Sequence, residues 1–289
     1  MILDALIAQR LKYVITNNIS LKQHGFVPVR STLTNLTIFN NNIATTLFNR
    51  DQHVIYIDFA KAFDSVDHGL LISWLYRFNI KGNILSFFLS FLKTREQRVK
   101  IGNTLSNSFI ADSGVPQGSH SGPLIFLILI NSLVNVINHS QILLFADDVR
   151  IYKSVKTLFD ASNLNRDLIS IVEWSQRNHI DTNFSESILL SFCRTYFQLN
   201  YQYILDNIRL TPSNSARDLR IIFHSRFTFN EHIDYIHNKA SRILGFIIRS
   251  TRDFTDVRCI VYLFKTLVLP CMHYCSSIWT PYYDCHIKT

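Results

Sequence analysis

A chain of 289 residues with 47% apolar and only 17% charged residues can bury the core of one large domain or two smaller ones, which excludes a disordered, solvated polymer. Its 29 basic against 21 acidic residues leave a net charge of +8, a positive excess at low charge density that suits a globular protein meeting a polyanion. Five cysteines without a repeated spacing argue against a disulfide framework, and neither the N-terminus nor the longest apolar run, Leu124 to Ile130, is built as a secretory signal or a membrane span. A soluble, intracellular protein is expected.

In chain order, residues 1–19 carry apolar positions Leu3, Leu6, Ile7, Leu11, Val14 and Ile15 at helical spacing, and a second helix is expected over about 32–48, after the loop Gly25 to Ser31. His53 to Asp58 is an apolar strand that ends abruptly in a carboxylate. Leu70, Leu71, Trp74, Leu75 and Phe78 mark an amphipathic helix stopped at Gly82; a helix over 83–93 leads to a hairpin turning at Gly102–Asn103. After the loop Gly114 to Ser119, an apolar helix starts near Pro123, a residue suited to a first helical position. Ile142 to Tyr152 reads as strand, Asp-Asp turn, strand, followed by an amphipathic helix over about 157–177. Short strands are expected at Ile188–Phe192, Tyr201–Leu205 and Leu219–Phe223, then helices over about 230–249 and 255–268. Mixed elements up to residue 224 and helices beyond it predict an α+β fold with a helical appendage.

Paired acids in a turn are common, so Asp147–Asp148 carry little weight alone. Asp58 adds weight, because a buried strand ending in a bare carboxylate is costly unless something pairs with it. If the two strands are neighbours, three carboxylates converge at one end of a sheet. Such crowding calls for cations, and an all-oxygen donor set selects hard ions, Mg²⁺ or alternatively Mn²⁺. Two such ions meet the electrostatic requirement of nucleotidyl transfer. Cys271 and Cys275, with Cys285–His286 beyond, lack the spacing of a zinc site and read as core residues.

These residues also carry a family resemblance. Val54-Ile-Tyr-Ile-Asp-Phe-Ala-Lys-Ala-Phe-Asp-Ser-Val-Asp-His68 resembles motif A of non-LTR (LINE-type, jockey-like) retrotransposon reverse transcriptases. Ser113-Gly-Val-Pro-Gln-Gly-Ser119 with Gly122-Pro-Leu124 resembles motif B, and Leu144-Phe-Ala-Asp-Asp148 motif C, in the family's order and spacing. Gln23-His-Gly-Phe26 and Arg30-Ser-Thr32 are similar to the preceding fingers segment, and Trp174 through Asn183 to Phe192 to motif D. Asp218-Leu219 and Phe223 are similar to the primer-grip region, and Leu267-Val-Leu-Pro270 with Tyr274, Trp279 and Pro281 to the start of the thumb.

The resemblance implies a right-hand polymerase palm, an antiparallel sheet packed on helices, at 53–224, with partial fingers at 1–52 and the start of a helical thumb at 225–289. It implies an RNA-directed DNA polymerase that uses an RNA template, a DNA primer and dNTPs. Asp58, Asp147 and Asp148 are then the metal ligands and catalytic residues, with Phe63 a steric gate beneath the incoming sugar. Gln117 and Gly118 line the nascent base pair, and Arg30, Asp218 and Leu219 face template and primer.

Several positions depart from the family pattern. Val27 and Val29 stand where Arg and Gly are common, Glu186 where motif D carries a Lys, Arg220 where the primer grip has Gly, and His224 where Asp is frequent. Against the same pattern the chain begins inside the fingers and ends early in the thumb, so a truncated copy is expected. From these departures an alternative follows: a catalytically inactive, nucleic-acid-binding remnant.

Overall fold

The computed structural model describes residues 2–47, 51–93, 95–193, 199–206, 208–254 and 256–280. Its centre is a five-stranded sheet in the order β11-β8-β1-β7-β6, built from β1 (Asp51–Phe59), β6 (Gln141–Phe145), β7 (Asp148–Val155), β8 (Thr182–Phe192) and β11 (Pro212–Ser213). All neighbours are antiparallel except β11, which runs parallel to β8. β1 lies in the middle and is covered on both faces, which explains its nearly unbroken apolar sequence.

Successive residues of β1 go to opposite faces. Ile55, Ile57 and Phe59 enter a large core with α3 (His68–Arg77), α4 (Gly82–Lys93), α5 (Gly122–Ile130) and α6 (Leu158–Asn178). Val54 enters a second core on the other face and Tyr56 packs against it, with Leu36, Phe39 and Ile43 of α2 (Thr32–Thr46) and, from further along the chain, Phe223, Ile236 and Trp279. α1 (Ile2–Thr16) supplies Ala8, Leu11 and Ile15 to the first core. α5 is buried all round from Leu124 to Ile130, the state of an interior helix rather than an amphipathic one.

Local chemistry sets the boundaries as expected in several places. Ser31 caps α2 and Thr157 caps α6, each reciprocally with the residue three positions on. Pro123 occupies the first turn of α5. Two small ribbons follow α4: β2 (Glu96–Gln97) with β5 (Phe109–Ile110), and β3 (Lys100–Ile101) with β4 (Thr104–Leu105), the latter turning at Gly102–Asn103.

Elsewhere the structure corrects the expectation. β8 starts at Thr182, not Ile188, because its first half pairs with the end of β1 across a bulge. The expected strand 201–205 shrinks to β9 (Ile204–Leu205), paired with β10 (Ile208–Arg209). The expected strand 219–223 is a hairpin instead: β12 (Ser215–Asp218) and β13 (Ile221–His224) flank a turn at Leu219–Arg220. After α7 (Asn230–Ser250), the expected helix 255–268 is α8 (Val257–Leu263) followed by a π-helical turn, Phe264–Val268. α9 (Leu269–His273) and α10 (Ser276–Trp279) are the last helices among the described residues. Pro270 lacks the N–H an α-ladder needs, and widening the preceding turn accommodates it. Residues 48, 255, Pro281, Cys285 and His286 fall outside the described residues. Among the described residues no helix is long and apolar enough to cross a membrane.

Two of the family departures coincide with unusual backbone. Val29 has φ +67° and is 99% exposed, and Arg220 has φ +69° in the two-residue β12–β13 turn. Both are left-handed conformations that favour glycine, and a β-branched residue is especially disfavoured there. Val29→Gly and Arg220→Gly are each expected to stabilise the protein by ~1 kcal/mol, measured by chemical denaturation; a loss of stability in both would contradict the backbone assignment.

Candidate active site at the end of the central strands

Register brings the acids together. Ile57 pairs with Val149, so the next position on β1, Asp58, falls across from Asp148, the first residue of β7. Asp148 closes the hairpin by pairing with Phe145, which leaves Ala146 and Asp147 as the turn. Asp58 shares a face with Val54 and Tyr56, and Asp148 with Arg150 and Tyr152; both acids therefore open on the α2 side of the sheet. They line one cleft of about 120 Å³ with Asn35, Tyr56, Arg150, Glu186, Arg217 and Asp218.

The bulge in β8 serves Asp58. Asn183 pairs opposite it and hydrogen-bonds its side chain, while the Asp58 N–H donates to Ser187 Oγ at 3.3 Å. Burial raises the Asp58 pKa above the usual carboxylate value, the Asn183 bond pulls it back, and the charge of Glu186 raises it again. Asp147 is raised by burial and by Asp58. Asp148 is pushed up to about 6 by burial, then by Asp147 and Asp58, with Arg150 opposing. Although its own side chain is exposed, enough protein surrounds it to weaken its hydration.

Three carboxylates thus share one field that Arg150 offsets only in part, the condition a divalent cation relieves. All the donors are oxygens, which fits Mg²⁺ or Mn²⁺. Among the described residues no group of three or more Asp, Glu, His or Cys side chains is drawn closely enough together to hold a metal ion. Of the three acids, Asp58 and Asp148 line the cleft.

The flanking loops are locked to each other. Val115 N–H donates to Phe63 O at 2.8 Å, Gly114 N–H to Val66 O at 2.8 Å, and Ser113 Oγ to Asp64 O at 2.8 Å. Gly114, at φ +82°, lets the two backbones touch: a Cβ there would sit 2.7 Å from Asp64 O. Phe63 is half-buried, stacked on Phe126 with centroids 4.2 Å apart and edge-on to Phe26. Gln117 Nε2 donates to Asp64 Oδ1 at 2.9 Å, and Gly118 is exposed with open space around it.

The residues expected to meet template and primer are otherwise engaged. Arg30 Nη1 donates to the carbonyls of Ser20 and Gln23, both at 2.6 Å. Leu219, at φ +43°, is half-buried, and its carbonyl accepts from Tyr274 Oη at 3.0 Å. Asp218 is buried and ion-paired with Arg150. Arg150 had not been singled out from the sequence. Its signal was a charge inside the apolar run Val149-Arg-Ile-Tyr152, which in a covered strand requires a partner. Its guanidinium also lies 4.5 Å from the Phe39 ring centroid, and burial lowers its pKa to about 10.

The chain matches the sequence pattern of the family described as reverse transcriptase (RNA-dependent DNA polymerase) over residues 2–247. It is 25% identical to the probable RNA-directed DNA polymerase from transposon X-element of Drosophila melanogaster, over 92% of this chain and 30% of that protein. It is also 25% identical to the RNA-directed DNA polymerase from mobile element jockey of the same fly, over 96% and 32%. The chain therefore spans about a third of the length of these relatives. In fold it resembles telomerase from Candida tropicalis in complex with a fragment of telomeric RNA, with a TM-score of 0.56 and 13% identity over 92% of this chain and 45% of that one.

Two outcomes follow from the charges. In EDTA, the raised Asp148 pKa contributes stability that is present below its ordinary value of 3.8 and lost as pH rises through about 6. Asp148→Asn should abolish that loss and be more stable than the native chain at pH 8 by roughly 1 kcal/mol after allowing for solvent screening, seen as a higher melting temperature; equal melting curves would contradict it. For the buried pair, Arg150→Met alone should cost ~3–5 kcal/mol by stranding Asp218, whereas Arg150→Met with Asp218→Leu should recover most of it. Additive losses in a double-mutant cycle would argue against the pairing.

Proposed function

Because the chain belongs to the reverse transcriptase family, we propose that it is the RNA-directed DNA polymerase domain of a non-LTR retroelement, extending a DNA primer on an RNA template with dNTPs. The observation that carries this reading is the register that sets Asp58 across from Asp148 at the mouth of one cleft, with Asp147 in the adjoining turn. Residues 53–224 act as the palm, with the fingers portion at 1–52 and the thumb portion at 225–289.

Asp58, Asp147 and Asp148 hold the divalent ions. Bound there, two Mg²⁺ ions would supply activation of the primer 3′-hydroxyl and neutralise charge on the leaving pyrophosphate. The 120 Å³ cleft is far below the size of nucleotide pockets, so the dNTP lies on the open face above it, across the loops bearing Phe63 and Gln117. Phe63, its ring backed by Phe126, closes the space a 2′-hydroxyl would need. Gln117, oriented by Asp64, and the open backbone at Gly118 border the nascent base pair. Arg30, Asp218 and Leu219 brace the segments on which template and primer rest.

Glu186 favours a second reading. It lines the cleft, and its charge adds to the field on Asp58, on the approach of a triphosphate. A chain so arranged binds primer–template without extending it. Primer extension on an RNA template with Mg²⁺ separates the two. The polymerase reading expects extension that falls by about 10²–10³-fold or more in Asp147→Ala. No extension by the native chain, together with salt-dependent binding that survives Asp147→Ala, would select the binding remnant.

A further inference from the structure

The turn that carries Asp147 is held from outside the sheet. Ala146 adopts φ +57°, a left-handed conformation that costs an alanine ~1 kcal/mol and persists only where its surroundings over-determine it. Both of its backbone polar groups are taken by one side chain. Ala146 N–H donates to Gln23 Oε1 at 2.9 Å, and Gln23 Nε2 donates to Ala146 O at 3.2 Å. The same Oε1 accepts Gly25 N–H at 2.8 Å, and Gln23 is fully buried.

The segment bearing Gln23 is itself fixed to β6. His24 N–H donates to Leu144 O at 2.9 Å and Leu144 N–H to Lys22 O at 3.0 Å, a short parallel bridge on the sheet edge. Arg30 ties down the Gln23 carbonyl at 2.6 Å. Gly25 lies directly against the turn: a Cβ at that position would overlap the Ala146 amide nitrogen. The backbone of this segment and the amide of Gln23 together form a mould for residues 145–146.

We propose that Gln23 is a positioning residue for the polymerase site, its amide and the bare backbone of Gly25 holding Ala146 left-handed so that Asp147 and Asp148 face Asp58. The inference rests on the reading of these three acids as the ion-holding set. It assigns to a residue 123 positions away from Ala146 control over divalent-ion affinity and turnover. Partners that orient metal ligands without touching the metal commonly change affinity by about 10–100-fold, and a misplacement of ~1 Å costs about 10²-fold in rate.

The test uses the full chain with Gln23→Met, Gln23→Glu and Gly25→Ala, and Tyr203→Phe as a control that removes a buried hydrogen bond near the other end of β1 from Asp58, the one between Tyr203 Oη and His53 Nδ1 at 2.7 Å. Three quantities are read: Mn²⁺ affinity by electron paramagnetic resonance, hydrogen exchange at the Ala146 amide, and kcat and KM for primer extension. Gln23→Met is expected to speed exchange at Ala146, weaken Mn²⁺ about tenfold or more, and lower kcat about 10²-fold with KM for primer–template nearly unchanged. Gln23→Glu keeps the two accepted bonds and loses the donated one, so it should fall between, and it carries the comparison if Gln23→Met does not fold. Gly25→Ala should resemble Gln23→Met, and Tyr203→Phe should lower the melting temperature while leaving Mn²⁺ affinity intact. Native Mn²⁺ affinity and native Ala146 exchange in folded Gln23→Met would overturn the proposal, as would a native chain that binds no Mn²⁺. If the native chain binds Mn²⁺ but extends no primer, the polymerase reading fails while the exchange and affinity measurements still decide the role of Gln23.

Discussion

The register between β1 and β7 is the constraint on which the rest depends. Side chains alternate along a strand, so a slip of one residue would send Asp58 to the face packed by α3, α5 and α6 and draw Ile57 onto the other. The two-faced core prevents that slip. Ile55 and Ile151 are paired in the first core, and Val54 and Tyr152 in the second, so a one-residue slip buries polar groups or exposes apolar ones. Hydrophobic burial on both faces is thus what brings mutually repelling carboxylates to one end of the sheet.

The charges around that end form a graded arrangement. Arg150 lies fully inside the protein, one alternation along β7 from Asp148, and offsets part of the negative field; its own ion pair with Asp218 ties the β12–β13 hairpin to the central sheet. Glu186 works in the opposite direction from β8. The bulge that lets Asn183 reach Asp58 also brings Glu186 into the cleft, so stabilisation and crowding of Asp58 come from one irregularity in one strand.

Much of this was legible in the sequence. β1, the β6–β7 hairpin, α5 and α6 have strong local signals: an apolar run ending in an acid, a paired-acid turn, an all-apolar helix opened by Pro123, and a capped amphipathic helix. That β1 and β7 should be neighbours could be posed as a condition for the acids to meet, and their pairing sets Asp58 across from Asp148. The rest depends on tertiary contact. The first half of β8, Thr182 to Ser187, is polar and is a strand only because β1 lies beside it. Leu219 and Arg220 look like strand residues, and their turn conformation is imposed by the hairpin. The partner of Arg150 could not be read from Arg150, since Asp218 lies in a different element and nothing local links them.

The placement of β1 also has a temporal consequence. Both of its neighbours, β7 and β8, come much later in the chain, and the second is complete only at Phe192. As the polypeptide leaves the ribosome, β1 emerges with two apolar faces and no strand to pair with. Such non-local pairing is slow to form and leaves an aggregation-prone edge open in the meantime. α2, which precedes β1, packs on one of those faces, so it can shield Val54 and Tyr56 on the nascent chain before the sheet exists. The helix that lends Asn35 to the finished cleft would then also act as an intramolecular chaperone for the strand it packs on.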